Sequence, residues 1–300
     1  MADLESRVPV PAGSPGVARP SLRQSVALGA RRYDCTNRAL VMGILNRTPD
    51  SFFDRGATWA LDDLLAKADA LVRAGADLLD VGGVKAGPGP EVGEEEELER
   101  VVPTVEALSA RFDVPLSVDT WRASVAEAAY AAGAVLGNDI SGFADPRYLD
   151  VAARAGASVV ATHIRLAPRV ADPEPSYPGG DVVTAVEQYL RDRVARALQA
   201  GIPRERVVID AGLDLGKSAT QSLELLQRSD RLAAIGQTLL LSASNKTFLG
   251  ALLGLEVGER RDPSLAAVAL GVSRGCRIVR VHDVAGTRRV VDVLAGILAA

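Results

Sequence analysis

The chain has 300 residues, a formal net charge of −4 and 24% charged residues, which is typical of ordinary soluble globular proteins. This charge gives no general attraction to nucleic acid or to an anionic membrane, and an aromatic content of 4% argues against a base-stacking surface. No apolar run reaches the roughly 18 residues that a membrane span needs. Cys35 and Cys276 have no metal or redox spacing, so we expect a cytoplasmic protein.

The first 20 residues, "MADLESRVPVPAGSPGVARP", are rich in proline and glycine. They lack the basic segment followed by an apolar segment that marks a secretory signal peptide. We therefore predict a flexible N-terminal tail over residues 1–30. Residues 31–300 contain no obvious linker, which predicts a single domain.

Short apolar runs alternate with longer segments of helical period throughout this domain. The runs are "ALVMGIL", "DLLDVGG", "PLSVDT", "AVLGNDI", "SVVATHI", "RVVIDAGL", "TLLLSAS" and "CRIVRVHD". Their near-continuous Val, Leu and Ile content is typical of parallel strands buried on both faces. Eight strand–helix units within about 260 residues predict an α/β fold, a single (β/α)8 TIM barrel, with an open doubly wound sheet as the alternative.

Polar residues follow most of these strands. They are Asn46, Asp119, Asn138, Asp210, Lys246, Arg280 and His282. Barrel enzymes bind their ligands at the C-terminal ends of the strands, so we expect these side chains to converge on one rim. Any one of them taken alone could instead be a helix cap or an ordinary polar strand end, and for His163 we prefer that simpler interpretation.

Two carboxylates in this set, Asp119 and Asp210, follow apolar runs and therefore need hydrogen-bond donors. A flat heterocycle with an N–H beside an NH2 group would supply two donors to such a carboxylate. Asn138 offers both a donor and an acceptor to a neighbouring edge, and Lys246 adds a cation for a ring carbonyl. Together these groups predict a site for a pterin-like ring.

The last strand ends in "RVHD", which places Arg280 and His282 two residues apart on one side of the chain. Beside a helix N-terminus, this pair predicts a phosphate or pyrophosphate pocket. A second phosphate motif is "AGLDLGKS", residues 211–218, which fits a loose P-loop pattern and raises a nucleotide-binding alternative. We consider that alternative weaker because the segment also fits the sixth unit of the barrel.

The chain resembles dihydropteroate synthase, the folate-pathway enzyme that sulfonamides inhibit. The resemblance rests on "MGILNRTPDSF", "DVGG", "SVDT", "NDISG", "IDAGLDLGK", "SNKTFLG" and "RVHD", which occur in order and cover almost the whole chain after the tail. It implies a TIM-barrel transferase in which p-aminobenzoate displaces pyrophosphate from a dihydropterin. It also implies Mg²⁺ and a homodimer.

The resemblance also implies roles for individual residues. It assigns pterin contacts to Asp119, Asn138, Asp210 and Lys246, the pyrophosphate end to Arg280 and His282, and the Mg²⁺ end to Asn46. It assigns the aminobenzoate carboxylate to the hydroxyl of Thr247. Among these residues Asp119, Lys246 and Arg280 are the expected catalytic groups.

Several positions depart from the family pattern, including the following five. The second loop, "GGVKAGPG", has Ala86 for a threonine and Gly87 for an arginine. The sixth loop has Asp214 for a glycine and Leu215 for the phenylalanine beside the aminobenzoate ring, and Asn245 replaces an arginine that stacks on the pterin. Each lost contact could cost about 1–3 kcal/mol. We therefore predict a homologue that is inactive or very weak as a synthase and that retains weak binding of pterin or sulfa-like aryl ligands.

Three alternatives stay open at this point. An active synthase is the first. A corrinoid-type pterin methyltransferase is the second, because Asn245 in "SASN" matches an asparagine of that family. A non-catalytic binding protein is the third. Whether the loop around Pro168 to Gly180 covers the mouth also stays open.

Overall fold

The computed structural model describes residues 24–47, 61–85, 87, 89 and 91–300. Its barrel strands are β3 (Leu40–Asn46), β4 (Leu78–Gly82), β5 (Leu116–Asp119), β6 (Leu136–Asp139), β7 (Ser158–Thr162), β8 (Val207–Asp210), β9 (Thr238–Leu241) and β10 (Cys276–Val281). They pair in parallel and close in the order β10-β3-β4-β5-β6-β7-β8-β9. The closed barrel confirms the predicted (β/α)8 fold.

Helices connect these strands and cover the outside of the barrel. They are α1 (Leu61–Arg73), α2 (Glu94–Arg111), α3 (Ala123–Ala131), α4 (Tyr148–Ala155), α5 (Val182–Gln199), α6 (Ala219–Gln227), α7 (Ser229–Ala233), α8 (Thr247–Leu253), α9 (Arg261–Ser273) and α10 (Val284–Ala299). Within the described residues, none of these helices combines the length and apolarity of a membrane span.

The strands are apolar on both faces because each face meets a different core. In β3, Leu40 and Met42 point into the barrel, whereas Val41 and Leu45 join the layer between the strands and the helices. This alternation follows from the two-residue period of a strand. It also fixes which strand-end side chains face the inside of the barrel.

A two-stranded antiparallel hairpin, β1 (Ser25–Leu28) and β2 (Arg31–Asp34), precedes the barrel. Val26 and Leu28 belong to the same buried cluster as the inward side chains of the barrel strands. Part of the hairpin lies within residues 1–30, for which the sequence predicts a tail, so the described folded structure begins before residue 31. Residues 1–23 lie outside the described residues.

Candidate active site

The inward side chains near the C-terminal strand ends are polar. Each of the following lies two residues after an apolar member of the inner cluster, and so faces the inside of the barrel: Asp80 after Leu78, Asn138 after Leu136, Thr162 after Val160, Asp210 after Val208 and Arg280 after Ile278. Asp119 is the last residue of β5 and lies opposite Gly82 of β4 and Asn138 of β6. We call Asp80, Asp119, Asn138, Asp210 and Arg280 the floor cluster.

Arg280 is the centre of the floor cluster. Its Nε donates to Asp80 Oδ2 at 2.6 Å, and its Nη2 donates to Asp119 Oδ2 at 2.7 Å. Asn138 Nδ2 also donates to Asp80 Oδ2, at 3.2 Å. Charge-assisted bonds of this kind are strong in a buried site. The sequence predicts Arg280 at the pyrophosphate end, and here its guanidinium binds the two floor carboxylates.

Asp80 is a site residue that the sequence analysis missed. Its side chain is fully buried, and Oδ1 has no hydrogen-bond partner among the described residues. The available signal was a carboxylate in phase with Leu78 inside the apolar run "DLLDVGG". A charge at such a position needs a buried cation, and Arg280 is that cation.

The two predicted pterin-edge carboxyls are both hard to ionise. Burial raises the pKa of Asp119 to about 7, with Asp80 adding to the increase and Arg280 opposing it. Burial also raises the pKa of Asp210, whose Oδ1 accepts from the backbone N–H of Gly212 at 2.8 Å. Additional N–H donors from a ligand would stabilise the charged form of both groups.

Lys246 immediately precedes α8 and lies near these carboxyls. Its positive charge lowers the pKa values of both Asp119 and Asp210. Within the described part of the chain, no hydrogen bond or ion pair of its ammonium group is found. Lys246 is therefore a cation that a ligand in the mouth can use.

Asn46 ends β3 next to the floor cluster. A Cβ placed on Gly82 would lie 3.4 Å from Asn46 Oδ1 and 3.6 Å from Asp119 Cβ, so these two side chains flank the same glycine. No group of three or more His, Cys, Asp or Glu side chains in the described residues could hold a metal ion. A single amide oxygen suits a Mg²⁺ ion that keeps its waters and arrives with a phosphate ligand.

His282 contacts a different part of the mouth from Arg280. Its Nδ1 lies 2.9 Å from Ser244 Oγ and 3.5 Å from Asn245 Nδ2. These residues line a cavity of about 350 Å³ with residues of α9 and α10. The predicted Arg280–His282 phosphate pair is therefore split between the floor cluster and this side cavity.

Asp214 makes the most unexpected contact of the rim. Its Oδ2 accepts from both the backbone N–H and the Oγ1 hydroxyl of Thr247, each at 2.6 Å. Its Oδ1 accepts from the backbone N–H of Phe248 at 3.3 Å. We call this the Asp214–α8 contact. The predicted aminobenzoate-binding hydroxyl is thus engaged by the chain's own carboxylate.

The loop that carries Asp214 is held from inside by Lys217. The Lys217 ammonium donates to the carbonyls of Gly212 at 2.8 Å and Leu215 at 2.9 Å, and lies 2.9 Å from His163 Nδ1. A P-loop lysine must instead reach the phosphates of a nucleotide. The buried position of Lys217 does not favour the nucleotide-binding alternative.

Three other departures are Ala86 and Gly87, which follow β4 in the chain, and Asn245, which lies shortly before α8. Among the described residues, no atom lies within 4 Å of the position where a Cβ of Gly87 would be, so nothing in that part of the chain packs against this position. Ala86 lies outside the described residues. Asn245 adopts a left-handed backbone conformation with φ of 58° and turns its amide toward His282.

The loop between β7 and α5, which includes Pro168 to Gly180, contacts the loops that follow two other barrel strands. Arg169 Nη1 donates to the carbonyl of Lys85 at 2.9 Å, in the loop that follows β4. Tyr177 Oη donates to the carbonyl of Gly216 at 2.6 Å, in the loop that follows β8. Because β4 and β7 are three strands apart in the barrel, these contacts place the loop at the rim between the β4 and β8 loops.

Comparisons with known proteins agree with this geometry. Residues 42–282 match the family model described as "Pterin binding enzyme". The chain is 46% identical over 279 residues to "Inactive dihydropteroate synthase 2" of Mycobacterium leprae, covering 91% of this chain and 95% of that protein. It is 39% identical over 261 residues to dihydropteroate synthase of Escherichia coli, covering 87% and 92%. The structure of Yersinia pestis dihydropteroate synthase with a sulfonamide drug complex superposes with a TM-score of 0.87, at 36% identity, covering 92% and 99%.

Proposed function

We propose that this chain, which belongs to the dihydropteroate synthase family of pterin-binding enzymes, binds a pterin but is inactive or very weak as a synthase. The synthase reaction would join p-aminobenzoate to 7,8-dihydropterin with loss of pyrophosphate. Such a reaction needs a site that accepts both an anionic leaving group and an anionic co-substrate. At the rim of this barrel, the group for the leaving group is replaced by Gly87 and the group for the co-substrate, Thr247, is engaged by Asp214.

The observation that carries the proposal is the Asp214–α8 contact. Thr247, where the family places the carboxylate of p-aminobenzoate, already donates both its backbone N–H and its hydroxyl to Asp214. On the other side of the mouth, Gly87 supplies no guanidinium for pyrophosphate. A guanidinium forms two aligned bonds to phosphate that the single ammonium of a lysine such as Lys85 cannot reproduce.

Pterin binding is supported by the floor cluster. Asp119 and Asp210 are buried carboxyls with raised pKa values, and Asn138, on a strand between theirs, donates a hydrogen bond to Asp80. We assign the ring edge to these groups and the ring carbonyl to Lys246. The sulfonamide complex of the Yersinia pestis protein supports an aryl ligand as the second occupant.

We expect Mg²⁺ to bind only together with a pyrophosphate ligand. Asn46 is the residue that we expect to contribute an oxygen to the ion. We keep Arg280 and His282 as the residues expected at the phosphate end, one from the floor cluster and the other from the side cavity. The pterin contacts that we assign to the chain's own side chains do not depend on the metal.

Two alternatives receive less support. An active synthase would require Asp214 to release Thr247 and the guanidinium missing at Gly87 to be supplied from elsewhere. A corrinoid-type methyltransferase would require Asn245 to reach the pterin, whereas its amide lies beside His282. Methyl transfer from methyltetrahydrofolate to a corrinoid would distinguish that alternative directly.

We also propose a homodimer built through α9 and α10. These helices pack against each other and expose Leu270 (40%), Val293 (64%) and Ile297 (61%) on the outside of the barrel. Substituting Val293→Glu and Ile297→Glu together should give monomers in sedimentation analysis. Val170→Glu, at an exposed position (54%) on the β7–α5 loop, is the control that should leave the dimer intact.

The two cysteines bear on localisation. Cys35 and Cys276 are buried and form no disulfide bond, which supports our expectation of a cytoplasmic protein.

Calorimetry with a pterin tests the binding half of the proposal. Asp119→Asn should abolish the binding found for the wild-type protein, because the amide cannot accept from two ligand N–H groups as a carboxylate does. Asp113→Asn removes the same charge from an exposed site, paired with Arg31, and should bind like the wild type. A wild-type protein that binds no pterin at all would contradict the proposal.

A further inference from the structure

The sixth loop holds the Asp214 carboxylate in a fixed position. Asp214 has a left-handed backbone with φ of 67°, and its N–H donates to Ser222 Oγ at 3.2 Å. The backbone N–H of Leu215 donates to the carbonyl of Gly212 at 3.0 Å. Lys217 then ties the carbonyls of Gly212 and Leu215 together from inside. The Asp214 side chain therefore reaches α8 from a braced turn.

The first turn of α8 gives its donors to this one carboxylate. Lys246, the residue before the helix, provides no side-chain cap, whereas Asp214 accepts from the N–H groups of Thr247 and Phe248 and from the Thr247 hydroxyl. The carboxylate of a ligand at this point would find these donors already bound to Asp214, and it would be repelled by the negative charge of Asp214 at close range. A neutral amide would instead donate to a remaining lone pair of Asp214.

We propose that Asp214 is a specificity-determining residue that excludes aryl carboxylates from the mouth and admits neutral aryl amides in their place. The inference rests on the proposed function, because it concerns the second ligand of a pterin-binding mouth. It assigns the chemical class of that ligand. It also gives a physical reason why an aminobenzoate is a poor partner for this chain.

The test is a pair of titrations with 4-aminobenzoate and 4-aminobenzamide, which have the same shape and differ in charge. Calorimetry is done on the full chain with and without a saturating pterin. The wild type should prefer the amide by about tenfold or more, the effect that one carboxylate–carboxylate repulsion produces. Asp214→Gly should reverse the preference, since glycine tolerates the left-handed backbone and frees Thr247.

Two further variants make the result specific. Asp214→Asn, which keeps the side-chain shape without the charge, should bind the two probes about equally. Asp113→Asn should keep the wild-type preference. The proposal is overturned if wild type binds both probes alike, or if Asp214→Gly keeps its melting temperature and gains no binding of 4-aminobenzoate. Failure of pterin binding, seen in the first titration, would count against the proposed function instead.

Discussion

The floor cluster and the Asp214–α8 contact lie in the same mouth and differ in what holds them in place. The floor cluster stands on strands, and four of its five members bind one another: Arg280 binds Asp80 and Asp119, and Asn138 binds Asp80. The Asp214–α8 contact joins two loops at the rim, and Thr247 remains exposed. Both regions contain the residue types of a ligand site, but the rim residues lie outside the barrel strands and are not fixed by strand packing.

This difference shows which residues report on function. A buried ion pair that loses one partner leaves an uncompensated charge inside the barrel, so we expect the floor cluster to stabilise the fold whether or not catalysis occurs. Rim residues have no such constraint. The presence of an intact floor cluster is therefore weak evidence for synthase activity, and the composition of the rim is stronger evidence.

The largest expected effect is a loss of stability from a substitution that breaks the floor cluster. Arg280→Ala leaves Asp80 and Asp119 buried without their cation and should lower the free energy of unfolding by about 3–5 kcal/mol. Urea denaturation at pH 7.5 measures it. Arg31→Ala, which breaks the exposed pair with Asp113, is the control and should unfold near the wild-type midpoint. Equal midpoints for the two variants would show that the floor cluster is not needed by the fold.

The second effect concerns the rim and catalysis. Combining Ala86→Thr, Gly87→Arg and Asp214→Gly restores three family groups at once, and we expect turnover to rise by about 10–100-fold. Dihydropteroate formation is measured by mass spectrometry. Adding Asp119→Asn to the triple variant should remove the gain. A triple variant with unchanged turnover would place a further lesion in the floor cluster or in the pterin pocket.

A smaller effect tests the stabilising role of the Asp214–α8 contact. Asp214→Asn keeps a residue type that tolerates a left-handed backbone but weakens the interaction with the start of α8, so unfolding should become easier by about 0.5–1 kcal/mol. Hydrogen exchange of the Thr247 and Phe248 amides should speed up at the same time. Unchanged exchange at both amides would mean that the contact is absent in solution.

The smallest effect is a pH dependence of pterin binding. Burial raises the pKa of Asp119 to about 7, so the carboxylate that accepts from the ligand becomes populated as the pH rises through that value. Affinity should therefore increase about threefold between pH 6.5 and 7.5. A titration of the pterin alone corrects for its own protons. A flat or falling profile would argue against Asp119 as the ring-edge acceptor.

The same raised pKa has the opposite sign for stability. An unfolded aspartate ionises near pH 4, whereas folded Asp119 holds its proton to about pH 7. Its contribution to the free energy of unfolding is fully present below about pH 4 and is lost as the pH rises to about 7. Asp119→Asn should remove this part of the pH dependence, and a pterin should reduce it.

The sequence predicts the barrel and the positions of Asp119, Asn138 and Asp210 because strand period and strand-end position follow from local patterns. It does not predict Asp80 as a partner of Arg280, since that pair joins the second and the last barrel strand, β4 and β10, which come close only when the barrel closes with β3 between them. Glu97 illustrates the same limit. It lies in the acidic run "GEEEELER", typical of an exposed helix start, yet it is fully buried and pairs with Arg122.

The rim shows a different limit. The sequence identifies Asp214 and Thr247 as separate features, one a departure and the other a retained hydroxyl. Their contact depends on how the loops after β8 and β9 fold toward each other, which no local pattern encodes. The distinction between the floor cluster and the rim therefore emerges only with the three-dimensional arrangement.

The inactivity of the chain as a synthase is tested most directly by the rate at which the wild-type protein forms dihydropteroate. The substrates are dihydropterin pyrophosphate and p-aminobenzoate, with Mg²⁺ present. The Escherichia coli enzyme, assayed at the same concentrations, supplies the reference rate. We expect the rate of the wild-type chain to be lower by about a thousandfold or more, because several contacts of about 1–3 kcal/mol are lost. A wild-type rate within about tenfold of the reference would contradict this expectation.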